Sequence, residues 1–240
     1  ESSEHFHFLT SAYGSGPLVR PTILAGTTVR RLSKHASSRV AGILTQTGNR
    51  PVLAYRSTAL VRCYRIDEER VESTLKNRAA SDEDCAARLR VIRKMRLVNA
   101  RNQLNHAVLT AALKFQRAFL STLDPRALCP LRQADLVAEL GWRNGACRLD
   151  ASRASRIIGS ASLLLPNGQE LPVRDLFPNA RTLLKVHLRE LLWEERKLIA
   201  AGSLRLPFTD AILARKLRAQ LGLPCLPRTV AYCRRALGIP

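Results

Sequence analysis

Residues 207–240 read PFTDAILARKLRAQLGLPCLPRTVAYCRRALGIP, and the fold class turns on this stretch. Thr209 stands where a helix N-cap is preferred, since its hydroxyl can accept from an otherwise orphaned amide of the first turn. Asp210 to Leu221 then runs without a breaker to Gly222, a residue suited to the left-handed C′ position. Pro227 fits the first turn of a second helix, which extends to Leu237 and ends at Gly238 and Pro240. In that helix Val230, Cys233 and Leu237 share an inner face. Arg228, Tyr232 and Arg235, spaced i, i+4 and i+7, share the other. An Arg-Tyr-Arg ridge on the second of two short helices suits a DNA groove.

Working outward, Arg181 to Ala201 carries Leu184, Leu188, Leu191, Leu192 and Leu198 on one helical stripe and ends at Gly202. Earlier still, Gln133 to Leu140 reads as a short helix stopped by Gly141. A polar stretch from Trp142 to Leu149 follows, and Asp150 or Ser152 then caps a helix running to about Ile158. Asn167-Gly168 between apolar runs signals a hairpin turn. Helix, turn, helix, hairpin is the order of a hairpin-flanked helix-turn-helix. Ser152, Arg153, Ser155 and Arg156 sit on its second helix.

Residues 86–123 hold eight Lys or Arg and no Asp or Glu. Leu104, Val108, Ala111/Ala112, Phe115 and Phe119 recur there at three- and four-residue steps, which predicts one buried helical face. A solvated back face normally mixes both signs, so this one-sided charge points to an anionic partner. Val52 to Ile66 mixes β-branched and aromatic residues, predicting one or two short strands. Residues 1–50 are rich in Ser, Thr and Gly, hold no period of 2 or 3.6, and read as a poorly ordered basic arm. Met95 is the sole methionine, so Glu1 is not a translation start, and the chain reads as a fragment, a processed product or an incomplete reading frame.

Several motifs resemble one bacterial family, the sigma-54 (enhancer-dependent) RNA polymerase sigma factors. The closing stretch is similar to the family's signature box at Arg228, Thr229, Val230, Ala231 and Arg234, followed by Leu-Gly-Ile-Pro. Pro227, Tyr232, Cys233 and Arg235 depart from the family's Arg, Lys, Tyr and Glu. Pro207-Phe208-Thr209-Asp210 resembles the opening of the preceding helix. Ser152, Ser155 and Arg156 match the recognition helix of the family's first helix-turn-helix, and Pro166-Asn167-Gly168 its following turn. Gln116 to Phe119 and Arg101-Asn102 resemble the long helices that end its polymerase-binding domain.

After the basic arm (1–50), the resemblance, which runs from about residue 60 to 240, implies a mainly α chain: a helical domain that binds core RNA polymerase (51–124), a first helix-turn-helix with a small β-hairpin (125–178), and a C-terminal helix-turn-helix (179–240). It implies double-stranded promoter DNA as partner, with the middle unit facing the −12 region and the terminal one the −24 element. Arg156 and Arg228 are then the base readers, because Arg bridges guanine O6 and N7 bidentately. Arg153, Arg234 and Arg235 meet phosphates, which position without specifying; Thr229, Tyr232, Ser152 and Ser155 complete the contact set. An ATPase activator would act on the full-length protein, and the setting is cytoplasmic.

Composition agrees with a nucleic-acid partner. The 240 residues carry 39 Lys or Arg against 19 Asp or Glu, a formal charge of +20, and a clustered positive field attracts phosphate. No apolar run of roughly 18 residues is present, which excludes a membrane-spanning helix. The cysteines Cys63, Cys85, Cys129, Cys147, Cys225 and Cys233 show no CxxC and no zinc spacing, so neither metal nor cofactor is expected. No phosphate loop, HExxH or G-x-S-x-G occurs, and the chain is expected not to be an enzyme. The alternative function is an interaction protein that binds polymerase or another partner without reading promoters.

Overall fold

The computed structural model describes residues 18–30, 37–47, 50–76, 82–143 and 151–239, together with residue 10. The chain is mainly helical, with strands. Its strands are β1 (Val19–Ile23), β2 (Thr28–Val29), β3 (Val40–Thr47), β4 (Arg50–Tyr55), β5 (Arg62–Ile66), β6 (Ser162–Leu164) and β7 (Glu170–Pro172). The helices are α1 (Glu68–Lys76), α2 (Asp82–Phe115), α3 (Arg117–Thr122), α4 (Gln133–Arg143), α5 (Ala151–Ser160), α6 (Ala180–Ala200), α7 (Asp210–Leu221) and α8 (Pro227–Ala236). They fall into two compact units, Glu1–Ala111 with Val137–Val173, and Ala112–Leu136 with Arg174–Pro240. These bounds are discontinuous, whereas the sequence reading divided the chain linearly after residues 50, 124 and 178.

In the first unit, β1 pairs antiparallel with β5, Val19 opposite Ile66. A second sheet has the order β2-β4-β3-β6-β7. Its centre is the β3–β4 hairpin, Gly42 opposite Tyr55, and β6 joins β3 in parallel with Val40 opposite Ser162. Residues 18–30 and 37–47 thus supply three strands, which overturns the expected poorly ordered arm over those residues. They escaped the periodicity reading because β1 buries only Val19 and exposes its other four residues. Gly42 is obligatory: a Cβ there would lie 2.4 Å from the Ala54 carbonyl oxygen, blocking the hairpin's close approach.

Helix α2 meets this unit through both apolar and polar groups. Val91, Ile92 and Met95 pack with Val19 and Val71, against Tyr64 and Ile66. One turn on, Asn99 Oδ1 accepts the Tyr64 N–H at 2.7 Å and its Nδ2 donates to the Tyr64 carbonyl at 2.8 Å. The side chain thereby pairs with β5 as a further strand would. Asn102, 0% exposed, donates from Nδ2 to the carbonyls of Ala59 (3.0 Å) and Arg62 (2.8 Å). Farther along, His106 Nδ1 lies 2.8 Å from the hydroxyl of buried Tyr55. Burial pushes the Tyr55 phenol up and the His106 imidazole down from their ordinary values.

The expected stripe on residues 104–119 holds in part. Leu104, Val108, Ala112 and Phe119 are buried, but Phe115 is exposed. Phe115 is the last residue of α2, and the helix breaks at Gln116 (φ −95°, ψ 22°) before α3 begins. Gln116 is 0% exposed. Its Nε2 donates to the carbonyls of Cys129 (2.7 Å) and Leu176 (2.8 Å), and its Oε1 accepts the Cys129 N–H (2.9 Å). Gly141 does not stop α4, which continues to Arg143; a helical glycine costs only about 1 kcal/mol against alanine.

Asn102→Ala should lower unfolding free energy in urea by about 1–3 kcal/mol, because a fully buried amide that makes two hydrogen bonds is removed. Exposed Arg93→Ala should stay within about 0.5 kcal/mol. His106 and His187 both have their pKa lowered by burial. The unfolded chain therefore takes up protons more readily, and stability should fall as pH drops below the ordinary 6.5. Urea midpoints at pH 7 and pH 5 measure this, with a smaller drop expected in His106→Gln.

Candidate nucleic-acid interface

The C-terminal helices follow from their punctuation. Thr209 caps α7 with its hydroxyl accepting from the Ile212 N–H, and Gly222 ends it at φ +63°. Pro227 occupies the first turn of α8. Leu184, Leu188, Leu191 and Leu192 of α6, Leu213, Ala214 and Leu217 of α7, and Cys225, Val230 and Cys233 form one buried cluster. A charged residue sits at its edge: Glu195 of α6 is 7% exposed and accepts the Phe208 N–H at 2.8 Å. That bond fixes the chain just ahead of the Thr209 cap, and so the direction in which α7 departs.

With Val230 and Cys233 turned inward, Arg228, Tyr232 and Arg235 are exposed on the opposite face of α8. This is the ridge that the helical spacing predicts. Arg181, from the first turn of α6, places its Cζ 4.7 Å from the centre of the Tyr232 ring. Arg234 behaves differently. Its guanidinium Nη1 donates to Asp210 at 3.2 Å, with both side chains largely buried, and ties α8 to the start of α7. It is a strut between helices, where the sequence reading put it on phosphate. Thr229 is half-buried, its amide donating to the Leu226 carbonyl at 2.8 Å. Residues 201–239 carry Arg205, Arg215, Lys216, Arg218, Arg228, Arg234 and Arg235 against one acid, Asp210, which Arg234 already neutralises. The field over this surface is therefore positive.

No family model matches this chain, and no curated protein does.

In the first unit, α5 turns Ala154 and Ile158 inward and exposes Ser152, Arg153, Ser155 and Arg156. Arg156 Nε donates to the Ser152 carbonyl at 3.4 Å, a long bond easily exchanged for a better acceptor. Ser152 lies inside the helix and is not its cap; the other expected cap, Asp150, falls in residues 144–150, outside the described ones. The hairpin forms as Asn167-Gly168 implies, with Gly168 at φ +82° and the Leu165 N–H donating to the Gln169 carbonyl at 2.8 Å. Among the described residues no group of three or more His, Cys, Asp or Glu is placed to hold a metal, and no helix is long and apolar enough to cross a membrane.

Two contributors were missed from sequence. Arg181 had no local signal, since its partner lies more than fifty residues away in the chain. Glu195, beside Glu194, gave no sign that one of the two is buried.

Burial, with the neighbouring Cys233 second, pushes the Cys225 thiol up; burial does the same for Cys233. Both should therefore resist iodoacetamide at neutral pH, while exposed Cys129 reacts first. Peptide mass spectrometry of a timed reaction measures the order.

Proposed function

We propose that this chain is a sigma-54-like transcription initiation factor that binds core RNA polymerase and reads double-stranded promoter DNA of the −24/−12 type. The observation that carries the reading is the exposed Arg228–Tyr232–Arg235 ridge on α8. This helix follows α7 through a short turn and is held by a buried face of its own. A packed inner face with exposed outward side chains supports reading α8 as a recognition helix, whose outward side chains meet base edges. The positive field over residues 201–239 supplies the sequence-independent attraction.

On this reading Arg228 bridges a guanine and Arg235 meets phosphate. Exposed Ser152, Arg153, Ser155 and Arg156 on α5 form the second contact set. The residues resembling the family's polymerase-binding domain bring the chain to core enzyme. It works in the cytoplasm, without catalysis or a cofactor of its own. In a full-length protein, an ATPase activator would govern promoter opening.

Duplex binding should fall at least roughly tenfold between 50 and 200 mM salt, as release of counterions from a few phosphates requires. Arg228→Ala should cost about 1–3 kcal/mol on the preferred duplex and flatten discrimination between duplexes. Arg235→Ala should weaken all sequences alike. Fluorescence anisotropy with labelled duplexes, and competition with an authentic sigma-54 factor for core polymerase, measure both arms. Polymerase binding without any sequence preference on DNA would favour the interaction-protein alternative.

A further inference from the structure

Tyr232 is a large ring left 49% exposed in the middle of a cationic ridge. Its phenol has no hydrogen-bond partner among the described residues. The guanidinium of Arg181 lies over it, 4.7 Å from the ring centre, and this attraction by the ring's electron-rich face holds the side chain to one orientation. An unrestrained tyrosine on a helix surface would exchange rotamers and give up entropy on meeting a ligand. Here that ordering is done in advance. Arg181 comes from α6 and Tyr232 from α8, so the orientation is set between two helices packed in one core.

A ring fixed beside Arg228 in a major groove meets one apolar feature there, the C5-methyl of thymine. Four residues of helix rise about 6 Å, close to two base steps at about 3.4 Å each. We infer that Tyr232, held in place by Arg181, is a specificity residue that reads a thymine methyl within about two base pairs of the guanine bridged by Arg228. This rests on the proposed function, and names the base chemistry of its terminal helix. Arg181 is a positioning residue, acting through the ring. The feature is particular to this chain, because Tyr232 stands where the family that its box resembles has Lys.

The test begins with selection of preferred sites from a pool of random duplexes by the intact chain. The selected site should hold a thymine within two base pairs of the essential guanine. Replacing that thymine by deoxyuridine removes only the methyl group and should weaken binding about fourfold, the worth of one buried carbon. Tyr232→Ala should erase the thymine–uracil difference, and Tyr232→Phe should keep it. Arg181→Ala should reduce the difference toward one without lowering the salt slope; Arg181→Lys should restore part of it, since ammonium also seats on the ring. In the free protein, Arg181→Ala should shift the Tyr232 ring resonances, and far-ultraviolet circular dichroism should stay unchanged.

A thymine–uracil difference that survives in Tyr232→Ala overturns the assignment of the ring. One that survives in Arg181→Ala, or a salt slope that falls by about one unit there, makes Arg181 a phosphate contact. A selected site without that thymine also overturns the inference. Absence of any duplex binding by the wild-type chain is a distinct result, and it defeats the proposed function as well.

Discussion

Asn102 spends its amide on two carbonyls that the β-sheet does not satisfy. Between β4 and β5 the chain turns through Thr58–Leu60, and there the oxygens of Ala59 and Arg62 point at helix α2. Carbonyls that a packed helix shields from water are costly to leave without donors, and α2 brings the buried Asn102 amide to both. Asn99 repeats the device on Tyr64, and His106 meets the hydroxyl of Tyr55. Three polar residues at i, i+3 and i+7 of α2 thus register the helix against the strands. Apolar packing alone would tolerate sliding; directional bonds to fixed carbonyls do not.

The second unit uses the same chemistry. Gln116 stands where the long helix breaks and bonds backbone groups of Cys129 and Leu176 from one buried amide. It gathers three separate segments of chain. Farther out, the carboxylate of Glu195 fixes Phe208, and the pair Arg234–Asp210 joins α8 to α7. The ridge on α8 is therefore presented by a frame whose joints are polar and directional.

The terminal helices were legible because each has local punctuation. Thr209, Gly222, Pro227 and Gly238 announce their boundaries, and Val230 and Cys233 mark the buried face by spacing alone. The outward residues follow by subtraction. The N-terminal strands were not legible, because β1 is mostly exposed and one of the two partners of β3 lies far along the chain. Asn99 and Asn102 look in sequence like ordinary surface residues of a basic helix. Their burial depends on carbonyls supplied by another segment, which no helical periodicity records. Arg234 shows the converse: the resemblance implies a phosphate contact for it, but Asp210 takes it into the frame. At α4, Gly141 misled because a tolerated helical glycine looks the same as a terminal one.

The parallel pairing of β3 with β6 bears on how the chain comes off the ribosome. Val40 leaves the exit tunnel early, but its partner Ser162 is made only after helices α1 to α5 have been synthesised. Through that interval one edge of β3 has hydrogen-bonding groups with no strand to receive them, the condition in which nascent chains pair wrongly with one another. Loop closure over so long a separation is also slow. The hairpin β6–β7 is short, local and able to form as soon as it emerges. It can then dock as a finished unit and close the edge in one step, so completion of the N-terminal sheet waits on a turn of three residues, Pro166-Asn167-Gly168.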